Sequence, residues 1–128
     1  MLGRRDDRAF EHYPPDSAAR ARIVEAMARP SLFESFLTCL SAHAYDVSGE
    51  LQEVLLRVYR DDAGPAMVAE HLVDLDEGIQ EWRYRHVKMV ERTIGDKAGT
   101  GGSSGAAYLR STLARPFFPA LWSLRTHL

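Results

Sequence analysis

One histidine and one glycine-rich loop are the residues best placed for chemistry. His86 falls where a helical repeat expects an apolar side chain, between Trp82 and Val90. An imidazole on such a face needs a partner, because a buried polar group is costly unless bonded. Two readings stay open. It is a core histidine bonded to a carbonyl or carboxylate, or it is a ligand to haem iron or another metal. A four-ligand zinc site is disfavoured, since neither an H-x-x-x-H nor a C-x-x-C spacing occurs and Cys39 is alone. A single histidine suits haem better, because the porphyrin brings the other four equatorial ligands. The loop runs from Gly95 to Gly105 and contains Gly99, Thr100, Gly101, Gly102, Ser103 and Ser104. Its glycines allow positive φ and close approach to a ligand. Its N–H groups and hydroxyls can cradle a carboxylate or phosphate, and Ser103 or Ser104 can cap the next helix. The Walker and dinucleotide-binding patterns do not fit. A plain helix–helix connector is the other reading.

The element that must carry both features is a helix over about residues 66–94. Val68, Leu72, Leu75, Ile79, Trp82, His86, Val90 and Ile94 recur at spacings of three and four, which predicts one buried stripe. Glu70, Asp74, Glu77 and Glu81 precede Arg85, Lys88 and Arg92 on the other face, the order the helix dipole favours. Such a helix spans roughly 43 Å, long enough to act as a central strut.

Around it, residues 1–15 read as an irregular lead-in. Asp16 or Ser17 caps a helix to about Ala28, and Pro30 ends it. Ser31 and Glu34 have capping-box spacing ahead of Phe33, Phe36, Leu37 and Leu40. A third helix buries Leu51, Val54, Leu55 and Val58, and the breakers in 61–65 predict a turn. After the loop, a short helix is expected over 106–114. Another begins at Pro119, with Phe117, Phe118 and Trp122 as core aromatics. No strand-like alternation appears, so the fold class is all-α, with residues 1–128 as a single helical domain.

Trp82-Arg83-Tyr84-Arg85-His86, the run Gly99-Thr100-Gly101-Gly102-Ser103-Ser104-Gly105, Tyr108-Leu109-Arg110 and Phe117-Phe118-Pro119-Ala120-Leu121-Trp122 closely resemble the C-terminal half of the tryptophan 2,3-dioxygenase family. Weaker resemblance reaches back through 29–33 to the N-terminus. The resemblance implies a helical bundle of the tryptophan/indoleamine dioxygenase type. It implies haem b held by His86 as the axial iron ligand. It places Thr100 on the amino-acid part of L-tryptophan, with Gly99, Gly101, Gly102 and Ser103 in the loop that closes over it. The implied reaction inserts O2 across the indole C2–C3 bond and yields N-formylkynurenine. The family's distal-pocket histidine and phenylalanine, its carboxylate-binding arginine and tyrosine, and the tryptophan behind the proximal histidine lie upstream of the matching region. The expectation is therefore a half-site, with Met1 an internal methionine of a longer ancestral reading frame. Alternatives are a haem binder that does not cleave, a related oxygenase of another indole, an inactive truncated remnant, or an oligomerising helical interaction protein.

Composition narrows the partners. A net charge of −2 leaves no basic footprint for nucleic acid. One cysteine cannot form an internal disulfide, which suits a reducing cytoplasm. No apolar run approaches a membrane span or a signal-peptide core. Half a helical bundle exposes apolar faces, so a homo-oligomer (a tetramer in the family) or a separate N-terminal half is the expected partner.

Overall fold

The computed structural model describes residues 13–99 and 104–128. The all-α expectation is met: the described residues form six helices and no strand. Residues 1–12 of the expected lead-in lie outside the described residues, and 13–17 are a non-helical approach to α1.

Local sequence explains most helix ends. α1 (Ala18–Ala28) is capped by Ser17, whose side chain accepts the Arg20 N–H. It buries no residue fully. α2 (Leu32–Ala42) opens on the capping box: Ser31 Oγ accepts from the Glu34 N–H at 3.1 Å, and Glu34 accepts from the Ser31 N–H at 2.6 Å. Both orphan donors are thereby satisfied beside a buried Ser31. Ser31→Ala is expected to cost about 1 kcal/mol. Urea denaturation of the two proteins checks this through the shift in midpoint at unchanged slope.

α3 (Leu51–Asp61) and α4 (Ala63–Ile94) are joined by Asp62 alone. Its N–H donates to the Val58 carbonyl and closes α3, while its carboxylate accepts the Gly64 N–H and opens α4. The expected turn over 61–65 is thus shorter than read. Gly64 and Pro65 sit in the first turn of α4, where a proline lacks no needed donor.

The core lies between α2, α3, α6 (Pro119–Leu124) and the first half of α4. It contains Phe36 and Leu40, then Val54, Leu55 and Val58, then Ala69, Leu72 and Val73, and finally Phe118, Leu121 and Leu124. Phe33 and Phe118 stack obliquely at 6.1 Å. Beyond Asp76, α4 leaves this core. There α5 (Ala106–Ser111) packs against it, and Arg83 ties it to the carbonyls of Thr112 at 3.2 Å and Arg115 at 2.8 Å. α5 is shorter than the expected 106–114 stretch, because residues after Ser111 turn.

The buried stripe of α4 differs from the expected one. Pro65, Ala69, Leu72, Val73, Asp76 and Val87 are buried. Val68, Leu75 and Trp82 are exposed, Trp82 by 63%. Ile79, His86, Val90 and Ile94 are half-buried. The helix carries apolar residues on two adjacent sides, and α2, α3 and α6 cover only one. No helix among the described residues is long and apolar enough to cross a membrane.

Candidate functional site

His86 stands on the uncovered side of α4. Its ring lies parallel to the Trp82 indole, with centroids 5.2 Å apart and 2° between planes. The i, i+4 spacing puts the two on one face, one turn apart. The ring nitrogens of His86 have no hydrogen-bond partner among the described residues. This departs from the expected setting: His86 does not sit inside the packed core, and no carbonyl or carboxylate satisfies it. Val68, Leu75 and Met89 are exposed along the same side. Among the described residues, then, the imidazole is unpartnered and half-buried on an apolar surface.

That arrangement bears on what could be held. Among the described residues no three His, Cys, Asp or Glu side chains group as a cage for a metal ion. A lone imidazole is nonetheless a sufficient donor set for haem, whose porphyrin fills the four equatorial positions. The apolar residues flanking His86 match the porphyrin's faces, so the residues present fit the group.

The loop begins where α4 ends. Gly95 takes φ +61° at the C-cap and its N–H donates to the Glu91 carbonyl. Along the axis this lies about 13 Å beyond His86. Gly105 takes φ +60° as the N-cap of α5, with no side-chain cap, so Ser104 does not serve as one. A Cβ on Gly105 would stand 2.5 Å from the Lys97 carbonyl oxygen and 3.5 Å from the Gly99 nitrogen. The two ends of the loop therefore meet at a narrow neck that only glycine allows. Gly99 is half-buried in that neck. Thr100, Gly101, Gly102 and Ser103 lie outside the described residues. Arg110 of α5 reaches back to Glu91 at 2.8 Å and to Asp96 at 3.7 Å, fastening the neck to the end of α4.

A profile of the family described as Tryptophan 2,3-dioxygenase matches residues 20–128. A protein of that name from Anaeromyxobacter dehalogenans (strain 2CP-C) is 58% identical, over 98% of this chain and 52% of its own length. Its counterpart from Herpetosiphon aurantiacus is 44% identical, over 100% of this chain and 54% of its own. The chain belongs to the tryptophan 2,3-dioxygenase family. It spans about half the length of the curated relatives it matches. This membership accords with the helical fold.

Two residues of the framework were given no role by sequence reasoning. Asp76, fully buried, accepts from the Phe117 N–H at 2.8 Å, the Phe118 N–H at 3.0 Å and the Trp122 indole N–H at 2.9 Å. α6 has no side-chain cap of its own, so Asp76 caps it from another helix. Burial pushes this carboxyl up, but the donors of Phe117, Phe118, Trp122 and Gln80 outweigh that and hold it below the ordinary aspartate value. Arg83, whose guanidinium also lies 4.4 Å from the Phe117 ring centroid, is the second. The available signal for Asp76 was its register: it follows Leu72 and Val73 in the core-facing series, where an acid requires several donors.

Proposed function

We propose that this chain provides the iron-binding helix and the substrate loop of a dioxygenase that cleaves L-tryptophan to N-formylkynurenine with O2. What carries the reading is the free imidazole of His86, stacked on Trp82 within an apolar surface. In this proposal His86 holds haem b through one ring nitrogen. Haem, when bound, supplies the iron that reacts with O2. Trp82 keeps the imidazole upright by stacking on its face. Thr100 hydrogen-bonds the amino-acid end of L-tryptophan. Gly99, Gly101, Gly102 and Ser103 close over that end and exclude water. The neck at Gly105 anchors this closure to α4. The chain acts as a single helical domain in the cytoplasm, within a homo-oligomer or with an N-terminal half that completes the site.

The test is a haem titration followed by absorbance, on the purified chain and on His86→Ala. A sharpened Soret band saturating at one haem per chain, lost in the variant, is the expected result. Binding indifferent to His86 would remove the reading. L-Tryptophan and O2 are then added, and N-formylkynurenine is sought by its absorbance.

The exposure of Val68, Leu75, Trp82 and Met89 favours a second reading, in which this side of α4 is chiefly an association surface. Sedimentation of the haem-free chain addresses it: self-association supports the surface role, and a clean monomer at all concentrations speaks against it.

A further inference from the structure

Val68, Leu75, Trp82 and Met89 follow one another along α4 every seven residues, and all four are exposed. A seven-residue repeat drifts only about 20° per step, so they form one nearly straight stripe roughly 32 Å long. The stripe stands about a third of a turn from the buried series of Ala69, Asp76 and Val87. The helices that pack on α4 are α2, α3, α5 and α6, and none of them covers the stripe among the described residues. A sustained seven-residue apolar spacing is the pattern by which one helix lies along another.

Two further features share this face. Gly78 lies one turn before Trp82, exposed, and a Cβ there would meet nothing within 4 Å. The chain's own packing does not require this glycine, which in a helix interior costs about 1 kcal/mol relative to alanine. The space it leaves suits a large side chain brought by another molecule. Charges flank the stripe on the side away from the core, and their signs are segregated. Asp74 and Glu81 precede Trp82, and Arg85 and Arg92 follow it. Glu81 and Arg85 pair within the helix, both largely exposed, so that pairing is exchangeable. Asp74 has a 3.6 Å contact with His71, also exposed, and Arg92 has no ion pair among the described residues.

We infer that this face binds α4 of a second copy of the chain, running antiparallel, about a two-fold axis at Trp82. The inference rests on the association reading given above and deepens it by naming the partner. A two-fold contact must be self-complementary, each residue returning the contact it receives. With the axis at Trp82, the indole meets its own copy. Leu75 and Met89, seven residues to either side, meet each other twice. Gly78 gives the partner's indole room. Asp74 comes level with the partner's Arg92 to within two residues, about 3 Å along the axis. Each ion pair of this kind likewise forms twice. A parallel pair would set Asp74 against Asp74 and Arg92 against Arg92, so the charges select the antiparallel arrangement. The pairing covers the indole on which His86 stacks, and it therefore describes the haem-free chain.

The experiment sediments the full haem-free chain beside Gly78→Gln, Asp74→Arg and Arg92→Asp. The native chain is expected to be a dimer. Gly78→Gln should dimerise about tenfold more weakly while its thermal stability as a monomer holds or rises, because glutamine is the better helix former. Asp74→Arg and Arg92→Asp should each weaken the dimer about tenfold, since two exposed pairs turn repulsive. An equimolar mixture of those two variants should restore it, because every substituted position then faces an opposite charge. Orientation is read by disulfide formation in a Cys39→Ser background. Leu75→Cys and Met89→Cys should cross-link when mixed, and neither should cross-link alone. A native monomer at all concentrations, or a dimer indifferent to Gly78→Gln, overturns this inference together with the association reading. A dimer that is lost in Gly78→Gln but cross-links through Leu75→Cys alone keeps the association reading and overturns the antiparallel pairing, as does a charge-variant mixture that stays monomeric.

Discussion

Asp76→Asn is expected to destabilise the chain by about 2 kcal/mol, a large share of the stability of an ordinary domain. The carboxylate stands fully buried and serves three N–H donors from the segment that starts α6. All three donate to one oxygen, Oδ2, so an amide oxygen in that place keeps them as neutral rather than charge-assisted bonds, while the new NH2 replaces the oxygen that accepts from Gln80 at 3.4 Å. Each buried group left unsatisfied costs about 1 to 3 kcal/mol. The loss falls on Phe118, Leu121 and Leu124, which α6 and its lead-in bring to the core. The pH dependence carries the same signature. The folded carboxyl is held below its ordinary value, so its contribution is complete above the unfolded aspartate pKa of about 3.9. It is lost as pH falls through the lower, folded value. Urea midpoints measured at pH 7 and in the acid range should therefore differ strongly between the native chain and Asp76→Asn at neutrality and converge in acid. A gap that stays constant with pH would mean that the charge on Asp76 is not what holds α6.

This buried acid also marks where the sequence stops being informative. The helices are local objects, and their signals are local too. Ser31 and Glu34 make the capping box their spacing suggests, and Pro119 opens α6. Which side of α4 is covered is decided by α2, α3 and α6, and the periodicity of α4 does not contain that choice. Leu72 belongs to both the expected stripe and the observed one, while Val68, Leu75 and Trp82 belong only to the expected one. An apolar stripe says that a face seeks a partner without saying that the partner is in the same chain. Among the described residues no element covers the side carrying Trp82 and His86, and the proposed role of the imidazole rests on that. Asp76 escaped notice for a related reason. Its donors are 41 to 46 residues away, so no short window joins them. The candidate site was legible as a histidine and a loop, and the indole stacked on the imidazole is local to α4, but the neck of the loop arises from a contact between separate elements.

That neck supports the second large effect. Gly95 and Gly105 share nearly one conformation, φ +61° with ψ −133° and φ +60° with ψ −127°. For an alanine this backbone costs about 1 to 3 kcal/mol at either position. Their surroundings differ. A Cβ at Gly95 meets nothing within 4 Å, whereas at Gly105 it would stand 2.5 Å from the Lys97 carbonyl oxygen, a backbone atom that cannot swing aside. Gly95→Ala therefore measures conformational strain alone, and Gly105→Ala measures strain plus the collision. We expect the second to cost about 2 kcal/mol more than the first, a difference in the range of core overpacking. The loop and α5 can relieve the collision only by moving away from α4, which would open the surroundings of Val87 and Ala106, both now buried. Hydrogen exchange should then speed up through α5 in Gly105→Ala but not in Gly95→Ala. Equal stability losses in the two variants would mean that the neck yields freely. Gly105 would then not fix the start of α5 against the end of α4.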